Sequence, residues 1–445
     1  MYFDERNVRE LLQKVLSYSQ AEQTEVLYLG VESALTRFAN NFIHQNMAES
    51  NAELRVRAVV GKRTGVASTN RLDDESLRRV TEQALEIARL QPENPEFHSL
   101  PSPLPLSFAA AYSQQTAHFT PEERARRVNI IVRLAKERGL ESAGAFSTET
   151  SAVAVANSLG IFAYEPRTDS ECHAVVMADA QGSGYTQRCS IDAASIDFEN
   201  MAREAVEKAE RSRNPVACPV GEYPVVLDTY ATAEMLQNLA FMGLSALAVQ
   251  EERSFMNGQI GQQLVSPLVT LRDDAYDPLG QASSFDYEGV PRQRVSIFQR
   301  GIARGVVYDS FTAHRAGETN TGHALPAPNP EGPLPLNLVM ESGDASLVEL
   351  IRGIERGIYV TRFHYTNAVH PVKTLLTGMT RDGTFLIEHG ELTRPVKNFR
   401  FTQSILDALR GVQAVGREAR QWREYLPVVA PAVRLESFNF TGVTG

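Results

Sequence analysis

The chain has 445 residues, of which 43% are hydrophobic and 22% are charged, and its formal net charge is -10. A chain of this length exceeds the size at which one hydrophobic core keeps growing, so it predicts two domains. The acidic balance of 54 Asp and Glu against 44 Lys and Arg argues against a nucleic-acid surface, because phosphate binding needs clustered basic residues. The sequence has no apolar run near the roughly 20 residues that span a bilayer, so we expect no membrane partner.

The beginning of the chain and its cysteines are typical of a cytoplasmic protein. Residues 1–6 are charged and lead into a helical pattern, whereas a signal peptide carries an apolar segment. The three cysteines, Cys172, Cys189 and Cys218, form no CxxC pair. Free thiols of this kind persist in reducing compartments. We therefore expect a cytoplasmic location.

The first part of the chain alternates helical and strand patterns. Apolar residues from Val8 to Leu16 recur with helical spacing after Asp4, which predicts a first helix. Strands are predicted at residues 25–31, 35–44 and 52–60, and a turn at residues 61–65. A second helix is predicted at residues 74–90, followed by a Pro-rich connector at residues 91–105.

A similar pattern then returns. Thr120 is typical of an N-cap, Pro121 of a first helical position and Glu123 of a capping box, so a helix is predicted to begin here. A strand meander at residues 143–190, turning at 157–160, and a helix at residues 197–211 follow. The second helices of the two units share a motif, Ala84-x-Glu86-x-Ala88 and Ala205-x-Glu207-x-Ala209. Residues 1–215 are either a duplicated α-β-β-β-α unit or contain two helices that are alike by chance.

Residues 218–221 predict a domain boundary, with an N-terminal domain at 1–218 and a C-terminal domain at 219–445. Beyond it we expect a strand at 223–227, an apolar helix at 231–250 and a further helix at 345–355. Residues 299–301 and 388–390 each lie between hydrophobic arms, as hairpin turns do. The predicted fold class is α+β, with an N-terminal α/β domain and a C-terminal domain rich in antiparallel strands.

Residues 357–400 carry a strong family resemblance. Two runs stand out, Thr377-Gly378-Met379-Thr380-Arg381-Asp382-Gly383-Thr384 and Ile387-Glu388-His389-Gly390-Glu391. They closely resemble the C-terminal half of the TldD/PmbA family, the proteins of two-subunit bacterial metallopeptidases once described as modulators of DNA gyrase. Residues 285–291 and 426–441 match as well, so the resemblance covers most of residues 220–445.

The resemblance implies a zinc motif that this sequence lacks. The catalytic branch of the family carries HExxxH on the helix after the first strand of the C-terminal domain, and the matching positions here are Gln237, Asn238 and Met242. Gln is a poor zinc ligand, Met is a soft thioether and Asn cannot take a proton from water. The family also draws a metal ligand from a Cys near the C-terminus, yet no Cys follows Cys218. None of the nine histidines has a partner at i+4, so HExxH is absent too.

Because it lacks the zinc motif, the chain resembles the PmbA/TldE-like branch of the family. This branch implies a non-catalytic subunit of a zinc metallopeptidase complex that acts on small or unfolded peptides. The zinc would lie in a TldD-like partner, this chain would hold no cofactor and no catalytic residue, and Gln237, Asn238 and Met242 would be vestiges of a metal site. Two alternatives stay open: a stand-alone amide or peptide hydrolase with a relocated site, and a homodimeric peptide-binding protein.

Two acidic residues are candidates for substrate or interface contacts. Asp286 and Glu288 lie two apart on an extended segment and therefore share a face. They would bind a cation, repel each other, or cap a turn before Gly289.

Four histidines are candidates of the same kind. His364 and His370 would meet at a metal only if a turn near Asn367 breaks their strand, since six residues of strand span roughly 20 Å. His314 and His323 flank a Gly-containing loop, which favours a cleft or an interface over a phosphate site because no strand–GxxxxGK–helix context is present.

Overall fold

The computed structural model describes residues 4–179 and 182–443. Within these ranges a six-stranded N-terminal sheet is followed along the chain by an eleven-stranded sheet. The fold is α+β with extensive antiparallel pairing, as the sequence predicts. The predicted boundary at residues 218–221 falls between the last helix of the first half and the first strand of the second. The division into two domains stays a prediction.

The N-terminal half contains, in chain order, α1 (Glu5–Tyr18), β1 (Gln23–Ala39), β2 (Phe42–Val60), β3 (Arg63–Thr69), α2 (Asp74–Leu90), α3 (Gln114–Ala117), α4 (Pro121–Glu137), β4 (Glu141–Asn157), β5 (Phe162–Met177), β6 (Ser183–Ser190) and α5 (Phe198–Arg211). The sheet order is β3-β2-β1-β4-β5-β6, and every neighbouring pair is antiparallel. The helix–three strands–helix order thus occurs twice, and the two copies join edge to edge through β1 and β4.

The two copies share a close helix–strand contact that explains the repeated alanine motif. A Cβ on Gly65 of β3 would lie 2.2 Å from the backbone nitrogen of Ala88 in α2. A Cβ on Gly184 of β6 would lie 2.1 Å from the carbonyl oxygen of Ala205 in α5. Only glycine fits at this distance, and only a small residue fits opposite it. The matching alanines therefore mark equivalent positions of the repeat rather than a chance likeness.

The predicted separate strands at residues 25–31 and 35–44 are wrong. β1 runs without interruption from Gln23 to Ala39, and the chain turns at Asn40 and Asn41. Both asparagines have positive φ, 50° and 62°, as a two-residue type I′ hairpin turn requires. Glu32, Ser33 and Ala34 lie within a continuous strand, because pairing with β2 and β4 on both sides overrides their weak strand preference.

Local helix signals in this half are confirmed. α4 begins with a complete capping box, in which the Thr120 hydroxyl accepts from the Glu123 backbone and the Glu123 carboxylate accepts from the Thr120 backbone. α2 has the predicted bounds, and α1 buries the predicted apolar stripe. The meander turns at residues 157–160, where Gly160 has a φ of 104°.

The C-terminal half contains β7 (Gly221–Leu227), α6 (Thr229–Gly243), α7 (Ala246–Gln250), β8 (Leu271–Asp273), β9 (Val295–Gln299), β10 (Ile302–Ala303), α8 (Ser310–Ala316), β11 (Leu338–Met340), α9 (Leu347–Arg352), β12 (Arg356–His370), β13 (Leu375–Glu388), β14 (Glu391–Pro395), β15 (Phe399–Ser404), α10 (Ile405–Arg410), β16 (Val412–Arg423) and β17 (Pro427–Val443). Its strands pair antiparallel except for β7 with β12 and β11 with β17. β7, β12, β13, β15 and β17 pair in a closed ring, and α6 packs against this ring.

Two helix predictions in this half need correction. The helix expected at residues 231–250 is two helices, because α6 ends at Gly243 and α7 begins after the Ser245 N-cap. A Cβ on Gly243 would lie 2.7 Å from the Ser254 hydroxyl, so another segment packs tightly against this position. The helix expected at 345–355 is shorter, Leu347–Arg352. Both predicted hairpin turns are confirmed, at Arg300-Gly301 and His389-Gly390, where all four residues have positive φ.

In the described residues, no helix is long and apolar enough to cross a membrane.

Candidate functional site

The helix that carries Gln237, Asn238 and Met242 begins at the junction of the two halves. Asp228 caps α6 and binds Lys208 of α5 at 2.8 Å. Glu204 of α5 binds Arg188 at 2.7 Å and reaches Arg420 of β16 at 3.2 Å. Burial would raise the pKa of Glu204, but Lys208, Arg188 and Arg420 hold it at about 2. This ionised network fixes the start of α6 against the N-terminal half.

A cavity of about 610 Å³ lies beside α6, and we call it the α6 cleft. It lies between the halves, since β5 and β6 line one side and α6, β12 and the end of β16 line the other. Its lining residues are Glu171, His173, Tyr185, Gln187, Glu234, Gln237, Asn238, Phe241, Arg362, Phe363, His364, Tyr365, Thr366, Asn367, Trp422, Arg423, Glu424 and Tyr425.

Gln237 has a structural role in this cleft. Its side-chain oxygen accepts hydrogen bonds from the backbone nitrogens of Tyr425 and Leu426, both at 2.9 Å. Gln237 is buried, with 3% of its surface exposed. The amide therefore ties α6 to the turn between β16 and β17, and its carbonyl oxygen is already occupied.

Asn238 and Met242, the other two positions aligned with the zinc motif, do not complete a metal site. Asn238 donates to the Glu234 carbonyl at 2.9 Å and to Thr366 at 3.4 Å. Met242 is 2% exposed and belongs to the hydrophobic core of the C-terminal half. Zinc prefers His, Cys and carboxylate ligands, so the residues present at this helix do not fit a zinc ion. No group of three or more His, Cys, Asp or Glu suited to a metal occurs within residues 4–179 and 182–443.

Glu234, one turn before Gln237, is the buried carboxyl of the α6 cleft. It is 4% exposed, and it accepts a hydrogen bond from the Thr366 hydroxyl at 2.9 Å. Burial raises its pKa to about 7, against the lowering effects of Thr366 and Arg362. A carboxyl in this state changes its charge near neutral pH and is the kind of group that functional sites contain.

Glu171, on the opposite wall, shows the contrasting case. Burial would raise its pKa, but the hydrogen bond with His173 and the charge of Arg423 hold it at about 2. Arg423 lies 3.2 Å from Glu171 and is also bound to Asp169. Gln187 adds a hydrogen bond to Glu171 at 2.8 Å. Glu171 is therefore a fully partnered carboxylate.

A second, larger cavity of about 1190 Å³ is lined by the connector residues 91–104, and we call it the connector cleft. Arg57 of β2 bridges two carboxylates here, Glu25 at 2.7 Å and Glu288 at 2.9 Å. Burial raises the pKa of Glu25 to about 7, although Arg57 lowers it. Because Glu25 belongs to the first half and Glu288 to the second, this ion triad connects the two halves.

Asp286 caps a turn before Gly289, which is one of the three roles that the sequence left open. One carboxylate oxygen accepts from the backbone nitrogens of Glu288 and Val290, both at 2.9 Å, and the other accepts from Ala324. The turn that it caps contains Gly289, with a φ of 78°. Burial and the nearby Glu288 raise the pKa of Asp286 to about 8.

The four candidate histidines lie in separate places. His314 lines the connector cleft and stacks on His98 with ring centroids 4.3 Å apart. His323 is fully buried, and its ring contacts Asp273 and Thr321 at 2.9 Å each. Burial and Arg292 lower the pKa of His323. This Thr–His–Asp arrangement resembles a catalytic triad in composition only, because the Thr321 hydroxyl is hydrogen-bonded to the Tyr308 backbone.

His364 and His370 do not converge. Both lie on β12, which has irregular pairing after His364 and a positive φ of 51° at Tyr365. His364 lines the α6 cleft, whereas His370 is exposed at the far end of the strand. Burial and the charges of Arg381 and Arg362 lower the pKa of His364.

Glu234 is the residue of this cleft that the sequence interpretation missed. A signal was present, since Glu234 is the lone charged residue of the otherwise uncharged helix Thr229–Gly243. Burying an acidic side chain on a helix that is covered on nearly all sides costs folding free energy, so such a residue indicates a functional role. The remaining cleft residues come from segments far apart in the chain and carry no local pattern.

Comparison with known proteins finds the same family in three consecutive regions. Residues 24–88 match the family model of PmbA/TldA metallopeptidase domain 1, residues 116–213 match the central domain and residues 220–442 match the C-terminal domain. The chain is 25% identical over 381 residues to the Metalloprotease TldD homolog of Haemophilus influenzae, covering 81% of this chain and 78% of that protein. It is 24% identical over 426 residues to the Metalloprotease PmbA homolog of the same organism, covering 91% and 89%.

The fold also matches a solved structure. The crystal structure of TldE from Thermococcus kodakarensis superposes with a TM-score of 0.90 at 20% identity, covering 98% of this chain and 100% of that chain. At this identity the likeness shows a shared fold. The C-terminal family model spans half of the chain, and the other two models extend the match to residue 24. The chain therefore belongs to the PmbA/TldD family of metallopeptidase-like proteins.

Proposed function

We propose that this chain is a non-catalytic, PmbA/TldE-like subunit of a zinc metallopeptidase that acts on small or unfolded peptides. A TldD-like subunit would carry the zinc and form a heterodimer with this chain in the cytoplasm. The observation that carries the proposal is the pair of hydrogen bonds at Gln237, the position aligned with the first histidine of the zinc motif. Its side-chain oxygen accepts from the backbone nitrogens of Tyr425 and Leu426 and is not presented to a metal.

The wall of the α6 cleft supports a role in holding peptides. β12 pairs with β7 through residues 358–360 and then continues to His370, so its residues 362–367 face the cleft. A strand edge of this kind binds an extended peptide through the main chain, whatever the peptide's sequence. This contribution needs no metal and no nucleophile in the subunit.

The cytoplasmic location is supported by the cysteines. Cys172, Cys189 and Cys218 are free thiols, and two of them are buried. Burial raises the pKa of Cys172 far above its usual range, so this thiol is unreactive. Such thiols suit a reducing compartment.

Neither alternative gains a specific observation. The relocated hydrolytic site would lie around one of the four candidate histidines, which lie in two clefts, in the core and on the surface. A homodimeric peptide-binding protein remains an outcome of the experiment below.

Peptidase measurements test the proposal directly. The purified chain, a TldD-like subunit with an intact HExxxH motif, and their mixture are each supplied with an unfolded peptide substrate. We expect cleavage only by the mixture, a 1:1 complex on sizing, and loss of cleavage when the partner's HExxxH glutamate is changed to Gln. Cleavage by this chain alone at a rate comparable to the mixture, after removal of contaminating metal, would contradict the proposal.

A further inference from the structure

The α6 cleft contains a buried carboxyl without a cation of its own. Glu234 is 4% exposed, and within the described residues no salt bridge joins it to Lys, Arg or His. Its hydrogen-bond partner is the Thr366 hydroxyl at 2.9 Å, and the nearby Phe363 backbone also lowers its pKa. Neutral donors compensate a buried carboxylate only in part, since a buried charge is stable when it is paired.

The nearest cation is already engaged. Arg362 lowers the pKa of Glu234 through its charge, but its guanidinium binds Asp382 at 2.6 Å and lies over the Tyr185 ring at 4.4 Å. Arg423, at the end of β16, is bound to Asp169 and Glu171 on the other side. Both arginines of the cleft are therefore paired with other carboxylates, and Glu234 is left without a salt bridge at the buried end.

The mouth of the cleft is aromatic. Tyr365 and Tyr425 are 72% and 73% exposed, and Phe241 is 44% exposed. Phe241 and Tyr425 contact edge to face, with ring centroids 6.4 Å apart. Exposed aromatic rings near a carboxylate attract ammonium and guanidinium groups through the negative faces of the rings. Glu424 lies at the same rim and adds negative charge.

From this geometry we propose that the α6 cleft binds a cationic group of a peptide, an alkylammonium or a guanidinium. Glu234 would be its counter-ion, and the aromatic rings at the mouth of the cleft would surround it. The inference rests on the proposed peptide-handling function and names the chemical class that this subunit selects. A cavity of about 610 Å³ accommodates one long side chain with its flanking backbone.

Binding is expected to depend on pH. Because burial raises the pKa of Glu234 to about 7, the carboxyl is half protonated at neutral pH and a cation binds its ionised form. Affinity for a cationic peptide should therefore rise between pH 6 and pH 8. The other charged or titratable groups that face the cleft are Glu171, His173, Tyr185, Arg362, His364, Tyr365, Arg423, Glu424 and Tyr425.

Calorimetry on the full chain tests the inference with three tripeptide amide probes. The first is N-acetyl-Ala-Lys-Ala-amide, the second replaces Lys by the uncharged norleucine, and the third is Ala-Ala-Ala-amide with a free N-terminus. The first and third distinguish a side-chain cation from an N-terminal one. Trp422 is the single tryptophan of the chain and lines the cleft, so its emission reports whether binding occurs there.

We expect at least tenfold tighter binding of one cationic probe than of the norleucine probe. Glu234→Gln keeps the side chain's size and its acceptor for Thr366, so it should remove this preference while norleucine binding stays the same. Glu424→Gln is the matched control at the exposed rim and should lower the preference by about threefold or less, since solvent screens exposed charges.

Equal affinity for all three probes, no binding of any probe, or an unchanged preference in Glu234→Gln would each overturn the inference. The proposed function fails separately. A chain that supports cleavage with a TldD-like subunit but shows no charge preference overturns the inference alone. A chain that prefers the cationic probe but neither binds nor assists such a subunit overturns the proposed function alone.

Discussion

The buried carboxylates of the two clefts between the halves of the molecule have different partners. In the connector cleft, Arg57 bridges Glu25 and Glu288 at 2.7 and 2.9 Å. In the α6 cleft, Glu234 is equally buried but has only neutral hydrogen-bond donors. Burial raises the pKa of both Glu25 and Glu234 to about 7, so the pKa alone does not distinguish the two sites.

The difference lies in the partners and indicates different roles. A carboxylate with a guanidinium partner from a distant segment fixes the position of that segment, and the connector-cleft triad joins β1 and β2 to residue 288. A carboxylate that lines a cavity without a cation is available to a ligand. The connector cleft is therefore interpreted as a structural junction, and the α6 cleft as the binding site.

The largest expected effect comes from breaking the triad. Arg57→Met keeps much of the side chain's volume but leaves Glu25 and Glu288 buried without a cation. We expect a loss of about 3–5 kcal/mol of unfolding free energy at pH 8, the usual result of removing one partner of a buried ion pair. Urea unfolding measures it.

The matched control is Arg71→Met. Arg71 forms an exposed ion pair with Asp73, so its loss should change stability by less than about 1 kcal/mol. Equal effects of the two substitutions would show that the triad does not hold the halves together.

The second prediction concerns the pH dependence of stability at Glu234. Its folded pKa of about 7 lies above the ordinary value of 4.5, so the folded state holds a proton that the unfolded state has released. Stability from this group therefore falls as pH rises from about 4.5 to 7. Glu234→Gln lacks this decline. At about 1.4 kcal/mol per pKa unit, its stability relative to the native chain should improve by up to about 3 kcal/mol between pH 4 and pH 8.

Glu171→Gln serves as the control with the opposite sign. The folded pKa of Glu171 is held at about 2, so its stabilising contribution is complete above pH 4.5 and is lost as pH falls toward 2. This variant should be less stable than the native chain at pH 8. Denaturant midpoints at several pH values measure both variants, and parallel curves for the two would refute the comparison.

The third and smallest effect is expected at Gln237. Gln237→Ala leaves the backbone nitrogens of Tyr425 and Leu426 without their acceptor, and Leu426 is buried. A loss of about 1–3 kcal/mol is expected, the cost of unsatisfied buried donors. Asn238→Ala removes a half-buried amide and should cost less. Hydrogen exchange at residues 425 and 426 should accelerate in the first variant alone, and unchanged exchange there would contradict the tie.

Local signals made much of the fold predictable. The Thr120–Glu123 capping box and the turns at residues 300–301 and 389–390 each depend on a few neighbouring residues, and the structure contains them as predicted. In the sequence, a chance likeness stayed open, and a duplication was the other interpretation of the alanine repeat. Its cause, the approach of Gly65 and Gly184 to the helices, lies in tertiary packing that the sequence does not display.

Long-range features were not predictable from the sequence. At the break after Gly243, the Gly243 carbonyl accepts a hydrogen bond at 2.6 Å from Ser254, which belongs to another segment. The pairing of Arg57 with Glu288 joins residues 231 apart in the chain. Glu288 was a sequence candidate, but Arg57 was not, because its partner became visible only when the two halves were placed together.

The most direct test of the central claim is the zinc content of the chain. The untagged protein is purified without chelator, dialysed against metal-free buffer and analysed by mass spectrometry, alone and after isolation with a TldD-like subunit. The account predicts essentially no zinc on the chain alone and about one zinc per heterodimer. Stoichiometric zinc retained by the chain alone would contradict it, because Gln237, Asn238 and Met242 do not provide a zinc site.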